Sequence, residues 1–313
     1  MIRTLASVAS VACTSVVLVI GVSAQQGLSA KAQENHFVLA QDLRRGLERK
    51  LQTVVEGLDG VIGYDALDLN SGEEIGHLEQ EEFPTASTIK LAILYELCQQ
   101  AEAGRINLET SALLDRHTVV GGSGILHALG TPTLSLRDHA VLMMTLSDNT
   151  ATNVLIDAVG MSNVMSRMQS LGLTGIRLRR KMMDTAAAAR GDENVATPRD
   201  IVRLLRVLHA GEGSNSDGKS AALKILELGA GGQIRLGVPE DVPILNKPGD
   251  LEGVRVDAAI VRAKNRPYAL AVMTTYLKDE NEGGRAITET SRAFYEYFSR
   301  LGMGSEYGRQ MKR

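Results

Sequence analysis

Cysteine is scarce in this chain, with two residues in 313. Cys13 falls in an apolar leader and Cys98 in an apolar helical stretch. An exported, processed form therefore has one thiol and no internal disulfide, and Cys98 is expected to pack as a small hydrophobe. There is no basic excess either. A formal charge of -3 leaves no electrostatic footprint for nucleic acid, which is excluded as a partner. The histidines, His36, His77, His117, His127, His139 and His209, are scattered without ligand spacing. Neither a metal site nor any other cofactor is expected. Internal repeats and low-complexity linkers are also missing.

What is present begins with Arg3, followed by an uncharged run from Thr4 to Gln26 that contains "LASVASVACTSVVLVIGVSA". A basic start, an apolar stretch and the small residues "VSA" before Gln25 form the pattern of a secretory signal, residues 1–24, cleaved after Ala24. An uncleaved anchor or a lipid-modified Cys13 are the alternatives. The signal implies a periplasmic or secreted protein. The remaining 25–313 suffice for one large domain or two closely packed lobes.

Periodicity then divides the chain. Residues 36–58 space their apolar side chains as one amphipathic helix. "VIGYDALDL", the turn "NSGEE" and "IGHL" read as a hairpin. From Thr85 to about Ala210 the pattern is helical, broken by loops at 121–124, 147–150 and 174–197. Within it, Ser135 and Asp138 stand at capping-box spacing before an apolar run. "GKSAALKILELGA" adds a helix, strands return in "VPILNK", "VRVDAAIVRA" and "YALAVMTTYL", and residues 284–302 close with a helix. Strands at both ends of a helical block predict an α+β fold: an antiparallel sheet flanked by helices, an αβα sandwich, beside an all-helical lobe. The sheet lobe is placed at about 36–84 and 211–302 and the helical lobe at about 85–210, with the site in the cleft between them.

The stretch "FPTASTIK" sets Ser87 and Lys90 one helical turn apart. A serine hydroxyl needs a base to become a nucleophile, and a desolvated lysine amine can serve. Residues three apart on a helix share a face, and a helix start aims free N–H groups at a developing oxyanion. On that spacing alone, a Ser87 cap with Lys90 as a snorkelling surface lysine is the commoner arrangement. Two further elements, "SDN" at Ser147, Asp148 and Asn149 and "KPG" at Lys247, Pro248 and Gly249, shift the balance. Taken singly, Ser147 reads as a loop turn and Asn149 as a helix cap.

With these three elements in this order, the chain resembles the class A β-lactamase family and its serine-lysine relatives, the penicillin-binding proteins, from about Leu43 to Leu301. "GGSGIL", "TLSDNTATNVLID", "LGLTGIRLRR" and "ATPRD" add to the likeness. The resemblance implies Ser87 as nucleophile, Lys90 as its base and Ser147 as a relay to the leaving nitrogen. It implies that Asn149 holds the substrate amide and Lys247 the substrate carboxylate. The N–H groups of Ser87 and Asp250, flanking Gly249, would form the oxyanion hole.

Three departures stand out. Pro248 replaces a hydroxyl residue, and Asp250 places a negative charge where the family has Ser or Thr. Arg255 either compensates as a bidentate carboxylate anchor or forms a surface salt bridge. The third departure is the loop at 177–198, where the resemblance calls for a glutamate that activates the deacylating water. Counting from Arg177 puts that position at Met182, and counting back from Pro198 puts it at Lys181. The partner asparagine position falls near Ala186, and the nearest acids are Asp184, Asp192 and Glu193. Either Asp184 substitutes, or Lys90 serves both steps, or the acyl-enzyme is long-lived.

The expected function is an exported, monomeric serine acyl hydrolase that acts on β-lactams or related small amides and esters, slowly. A cell-wall D-Ala-D-Ala peptidase and a non-catalytic binding module are the alternatives. Mass spectrometry of the exported protein should find an N-terminus at Gln25. An intact Met1 on a membrane-embedded chain would contradict the leader.

Overall fold

The computed structural model describes residues 15–211, 220–229, 231–305 and 307–310, so residues 1–14 of the expected leader lie outside the described residues. Helix α1 runs from Ser15 to Gly57, well upstream of the start at 36 that periodicity predicts. The uncharged run up to Gln26 has no polar face, and the polar "GLSAKAQEN" that follows has too few apolar side chains to show a period. Among the described residues no helix is long and apolar enough to cross a membrane.

After α1 come β1 (Val61–Asp68), β2 (Glu74–His77) and the short β3 (Phe83–Pro84). The hairpin between β1 and β2 turns on Asp68, whose Oδ1 accepts from the N–H groups of Asn70 (2.8 Å) and Ser71 (3.0 Å). A 3₁₀ turn, Ala86–Ile89, leads into α2 (Lys90–Glu102). A small ribbon of β4 (Ser111–Leu113) and β5 (Thr133–Ser135) precedes α3 (Leu136–Thr145), α4 (Asn149–Val159) and α5 (Met161–Ser170). Helix α3 starts with the capping box that its sequence predicts, closed by Ser135 and Asp138 in both directions. The loop 177–198 contains α6 (Thr185–Ala189) and β6 (Val195–Ala196), which pairs with β3. Then follow α7 (Pro198–Ala210), α8 (Ala221–Glu227), α9 (Gln233–Leu236), β7 (Ile244–Leu251), β8 (Val254–Val261), β9 (Tyr268–Thr275) and α10 (Glu280–Met303).

One five-stranded antiparallel sheet, in the order β2-β1-β9-β8-β7, joins the two ends of the chain. Alternate residues divide its two faces, as the period of a strand requires. Tyr64, Val261, Leu270 and Val272 pack with Leu47 and Leu51 of α1 and Phe294 and Phe298 of α10. Ala258, Ile260, Ala271 and Met273 face the larger core built by α2, α3, α4, α5, α7 and α8. Fully burying each Leu or Ile there contributes roughly 1.5–3 kcal/mol. Helix α8 shares this second core through Leu223, Ile225 and Leu226, so the helical layer draws on chain beyond residue 210. Cys98 is buried and unpaired in the same core.

The structure differs from expectation at "KPG", which lies inside β7 instead of at a strand end. β7 is an edge strand, where a proline with no N–H is tolerated.

Asp65 is a buried charge carrier in the middle of β1. It is wholly inaccessible, and neither carboxylate oxygen has a hydrogen-bond partner. Burial, reinforced by Glu74 and Glu79 and opposed by Arg199 and Arg203, pushes its carboxyl up to about 8. An unfolded Asp ionises near pH 4. Between these values the native state holds a proton that the unfolded state has lost, so stability falls as pH rises and levels off above about 8. Urea midpoints measured from pH 5 to 8 should decline in the wild type and flatten in Asp65→Asn. Equal slopes in the two proteins would show that Asp65 is ionised in the fold.

Candidate active site

The 3₁₀ turn that carries Ser87 is fixed from both sides. Thr85 N–H and Thr85 Oγ1 donate to Asn194 O at 2.9 and 3.1 Å, and Thr88 Oγ1 donates to Thr85 O at 2.7 Å. Ala86, just before the serine, has φ +44°, a left-handed conformation that is strained for a residue with a Cβ. Thr85 occupies the N-cap position, so Ser87 is not the cap.

Lys90 opens α2 with no solvent exposure, among Leu91, Ile93 and Leu94. A snorkelling surface lysine is thereby excluded. Its ammonium donates to Ser147 O (2.7 Å), Ser147 Oγ (3.0 Å) and Asn149 Oδ1 (3.1 Å). Those three acceptors match the three N–H donors of an ammonium. The link to Ser87 is therefore indirect: Ser147 Oγ lies 2.8 Å from Ser87 Oγ and donates to it. Lys247, also buried, donates to Ser147 Oγ at 3.1 Å and to Pro248 O at 2.9 Å. One hydroxyl thus touches Ser87, Lys90 and Lys247.

Burial depresses both lysines. Lys90 is held well below the ordinary lysine value by desolvation and then by the charge of Lys247, against a weaker pull from Asp148. Lys247 falls to about 8 through desolvation, with Asp257 and Asp250 acting in the opposite direction. A lysine in such surroundings can give up its proton and accept another.

The Ser147 turn is also strained, with φ +54°. Asp148, to which sequence reasoning assigned no role, secures it. Its carboxylate accepts from Ile125 N–H (2.7 Å), Leu126 N–H (2.8 Å) and Ala151 N–H (2.8 Å), which ties the 121–126 loop to the start of α4. Gly124 leaves room for that carboxylate: with φ +106°, a Cβ there would fall 2.2 Å from Asp148 Oδ2. Asn149, the first residue of α4, directs its Nδ2 to Gly121 O at 3.1 Å.

On the opposite wall, β7 runs against the Ser87 turn. A Cβ on Gly249 would lie 2.6 Å from Ser87 N and 2.9 Å from Ala86 Cβ, so only glycine fits. Arg255 does not offer a free fork. Its Nε pairs with Asp250 Oδ1 (3.2 Å), its Nη2 with Glu280 Oε2 (2.9 Å), and its Nη1 donates to Leu251 O and Val254 O. The salt-bridge alternative is the one observed, and it offsets the charge of the exposed Asp250.

The 177–198 loop is braced by Arg180 on Glu193 (2.7 Å) and by Asn194, whose Oδ1 accepts from the N–H groups of Arg179 and Arg180. Asn153 of α4 clamps Met182: its Oδ1 accepts from Met182 N–H (2.8 Å) and its Nδ2 donates to Met182 O (3.1 Å). Met182 is buried in the helical core. Asp184 is not brought into the cluster. Its exposed carboxylate caps α6 by accepting from Ala187 N–H at 2.9 Å. Met183, at φ +63°, instead faces the cleft wall, its thioether beside Gly122 and Asn149. No sequence signal pointed to that side chain.

The model of the beta-lactamase enzyme family matches residues 46–298. The imipenem-hydrolyzing beta-lactamase of Enterobacter cloacae is 29% identical over 254 residues, which cover 78% of this chain and 86% of that protein. Among solved structures, PBP-A superposes with a TM-score of 0.73 at 26% identity, covering 82% of this chain and 97% of that one. An ancestral class A beta-lactamase also gives 0.73, at 25% identity over 80% of this chain and all of its own.

The Gly249 contact carries a test. Gly249→Ala must push β7 and the Ser87 turn apart, and a displacement on the order of 1 Å at a reacting centre costs about 10²-fold. The rate of covalent labelling at Ser87 by a fluorescent penicillin should fall by that factor. An unchanged rate would mean that the contact has slack.

Proposed function

We propose, from the premise that this chain belongs to the beta-lactamase enzyme family and is an enzyme of its serine-hydrolase kind, that Ser87 forms a covalent acyl-enzyme with β-lactams or related amides and esters. The observation that carries this reading is the single hydroxyl of Ser147, within hydrogen-bond distance of Ser87, Lys90 and Lys247. With Lys90 neutral, the bonds around Ser147 reverse direction. Ser87 gives its proton to Ser147 Oγ while Ser147 gives its own to Lys90 Nζ. Ser87 Oγ bonds to the carbonyl carbon, and the oxyanion sits against the N–H groups of Ser87 and Asp250. As the C–N bond breaks, the proton returns from Lys90 through Ser147 to the leaving nitrogen. Lys247 attracts the substrate carboxylate in this scheme, and the free N–H and carbonyl lone pair of Asn149 meet the substrate amide. The Arg255–Asp250 pair borders the carboxylate end, with Arg255 in reach of it only after giving up a present partner.

Release is the weak step in this reading. A thioether cannot activate water, and the two counts for the family's glutamate fall on Met182 and on Lys181, which is paired with Asp157. Loss of a water-activating carboxylate typically costs ~10²- to 10⁴-fold, or about 3 to 5 kcal/mol. A cell-wall peptidase is the second reading, favoured by that same stretch and by the likeness to PBP-A, a mutant of which is known as an acyl-enzyme complex with penicillin G. Either activity fits a monomer acting outside the cytoplasm after the leader is removed.

A chromogenic cephalosporin should give a burst near one equivalent and then a slow steady state. Ser87→Ala should abolish labelling by fluorescent penicillin, and Lys90→Ala should slow it ~10²- to 10⁴-fold. Met182→Glu should raise the steady-state rate, whereas Asp184→Asn should leave it unchanged. Labelling of Ser87→Ala at the wild-type rate would refute the nucleophile. Fast hydrolysis without a burst would refute slow release.

A further inference from the structure

The site places two lysines around one hydroxyl, and Lys247 can attract a carboxylate only while it is charged. Burial works against that charge, beside a second lysine, Lys90 of α2, that shares the Ser147 hydroxyl. Two acids oppose these effects: Asp250 on β7 and Asp257 on β8. Asp250 is exposed and already paired with Arg255 at 3.2 Å, so solvent and that guanidinium screen it. Asp257 has no solvent exposure. In the antiparallel register Lys247 stands opposite Ala258 and Pro248 opposite Asp257, so Asp257 is a diagonal neighbour of Lys247 on the adjoining strand. Their side chains leave the sheet on opposite faces, with only the thickness of the backbone between them. A field acting through such a dry layer is far stronger than one acting through water.

The surroundings of Asp257 hold a carboxylate in place. Its Oδ2 accepts from Ile234 N–H at the start of α9 (2.9 Å), and its Oδ1 from Asn246 Nδ2 (3.1 Å). Asn246 Nδ2 also reaches Gly231 O at 2.6 Å. Gly232, at φ +85°, gives the pair its space, since a Cβ there would lie 2.5 Å from both Asn246 Nδ2 and Asp257 Oδ2. Asp257 acts on and feels Lys247; Lys247 also feels Asp250 on β7; and Lys90 of α2, beyond it, feels Lys247 and Asp148 at the cap of α4.

We propose that Asp257 is a positioning residue of the site: a buried counter-charge behind the sheet that keeps Lys247 cationic for the substrate carboxylate while touching no substrate itself. The proposal rests on the acyl-enzyme reading for its catalytic consequence, but not for the charge of Lys247. Burial raises the Asp257 carboxyl to about 6, so it is ionised at neutral pH and switches off in mild acid. Lys247 titrates near 8. Removing the acid lowers that midpoint, and the charge on Lys247 is then lost at a less alkaline pH.

The test follows Lys247 directly, by NMR of full-length protein labelled with [13Cε]-lysine, its resonance assigned by its absence in Lys247→Arg. Asp257→Asn keeps the shape and a hydrogen-bond acceptor and removes the charge. Its Lys247 midpoint should move down by about one pH unit. The alkaline limb of the burst rate with a carboxylate-bearing β-lactam should move with it, and in a Lys247→Arg background Asp257→Asn should leave that limb in place. A folded Asp257→Asn protein with an unmoved Lys247 midpoint would overturn the proposal and leave Asp257 as a brace for α9. If that variant does not fold, the wild type decides: its Lys247 resonance should show a second, small inflection near pH 6 as Asp257 takes up a proton, and a single smooth titration would overturn the coupling. Absence of acylation with a normal Lys247 titration would count against the acyl-enzyme reading and not against Asp257.

Discussion

Two buried lysine amines around a single serine hydroxyl form the constraint on which the rest of the structure depends. Like charges drawn together out of water repel, and each has lost its hydration. The fold opposes this with acceptors: the carbonyl and hydroxyl of Ser147, the side-chain oxygen of Asn149 and the carbonyl of Pro248. Holding those acceptors in place requires backbone conformations that residues with a Cβ seldom adopt, at Ala86 and Ser147. That strain is borne by bonds further out, from Asn194 to Thr85 and from Asp148 to the 121–126 loop. The cluster is therefore a property of both layers of the molecule, with α2 and α4 supplying one side and β7 the other.

Local features were legible in the sequence, and contacts between distant segments were not. The capping box of α3 was legible because Ser135 and Asp138 satisfy each other within one turn. The strands of the sheet were legible as short apolar runs bounded by turn residues, since helices cover both faces and burial along β1, β8 and β9 is nearly continuous, and the order of Ser87, Ser147 and Lys247 survived as three short motifs. The path from Lys90 to Ser87 was not, since spacing along one helix cannot show that a residue from another segment stands between them. Arg255 could be read as an anchor only because its partner Glu280 lies far along the chain. The continuous α1 and the mid-strand position of Pro248 were hidden for different reasons: the start of α1 passes from an apolar run to a polar one with no amphipathic period in either, and the proline is tolerated only because β7 ends the sheet.

The loop at 177–198 is held mainly through its backbone. Its braces are polar and specific, with Arg180 on Glu193, Asn194 on the backbone of two arginines and Asn153 on the backbone of Met182. Backbone bonds of this kind do not depend on the side chain at the clamped residue. A methionine can therefore stand at position 182, clamped through its backbone, while its side chain packs into the helical core. Asp184, by contrast, acts through its side chain, which caps its own short helix.

Pro248 has a consequence beyond the substrate. A strand that ends a sheet normally presents a row of unused N–H and C=O groups, which can recruit strands from other chains. At residue 248 neither group is open to pairing, because proline has no N–H and Lys247 Nζ holds its carbonyl at 2.9 Å. One residue further on, the Ser87 turn presses against Gly249. The segment beside the small-molecule site therefore offers another polypeptide little backbone to pair with, so this edge resists aggregation through its backbone as well as through the exposed charge of Asp250.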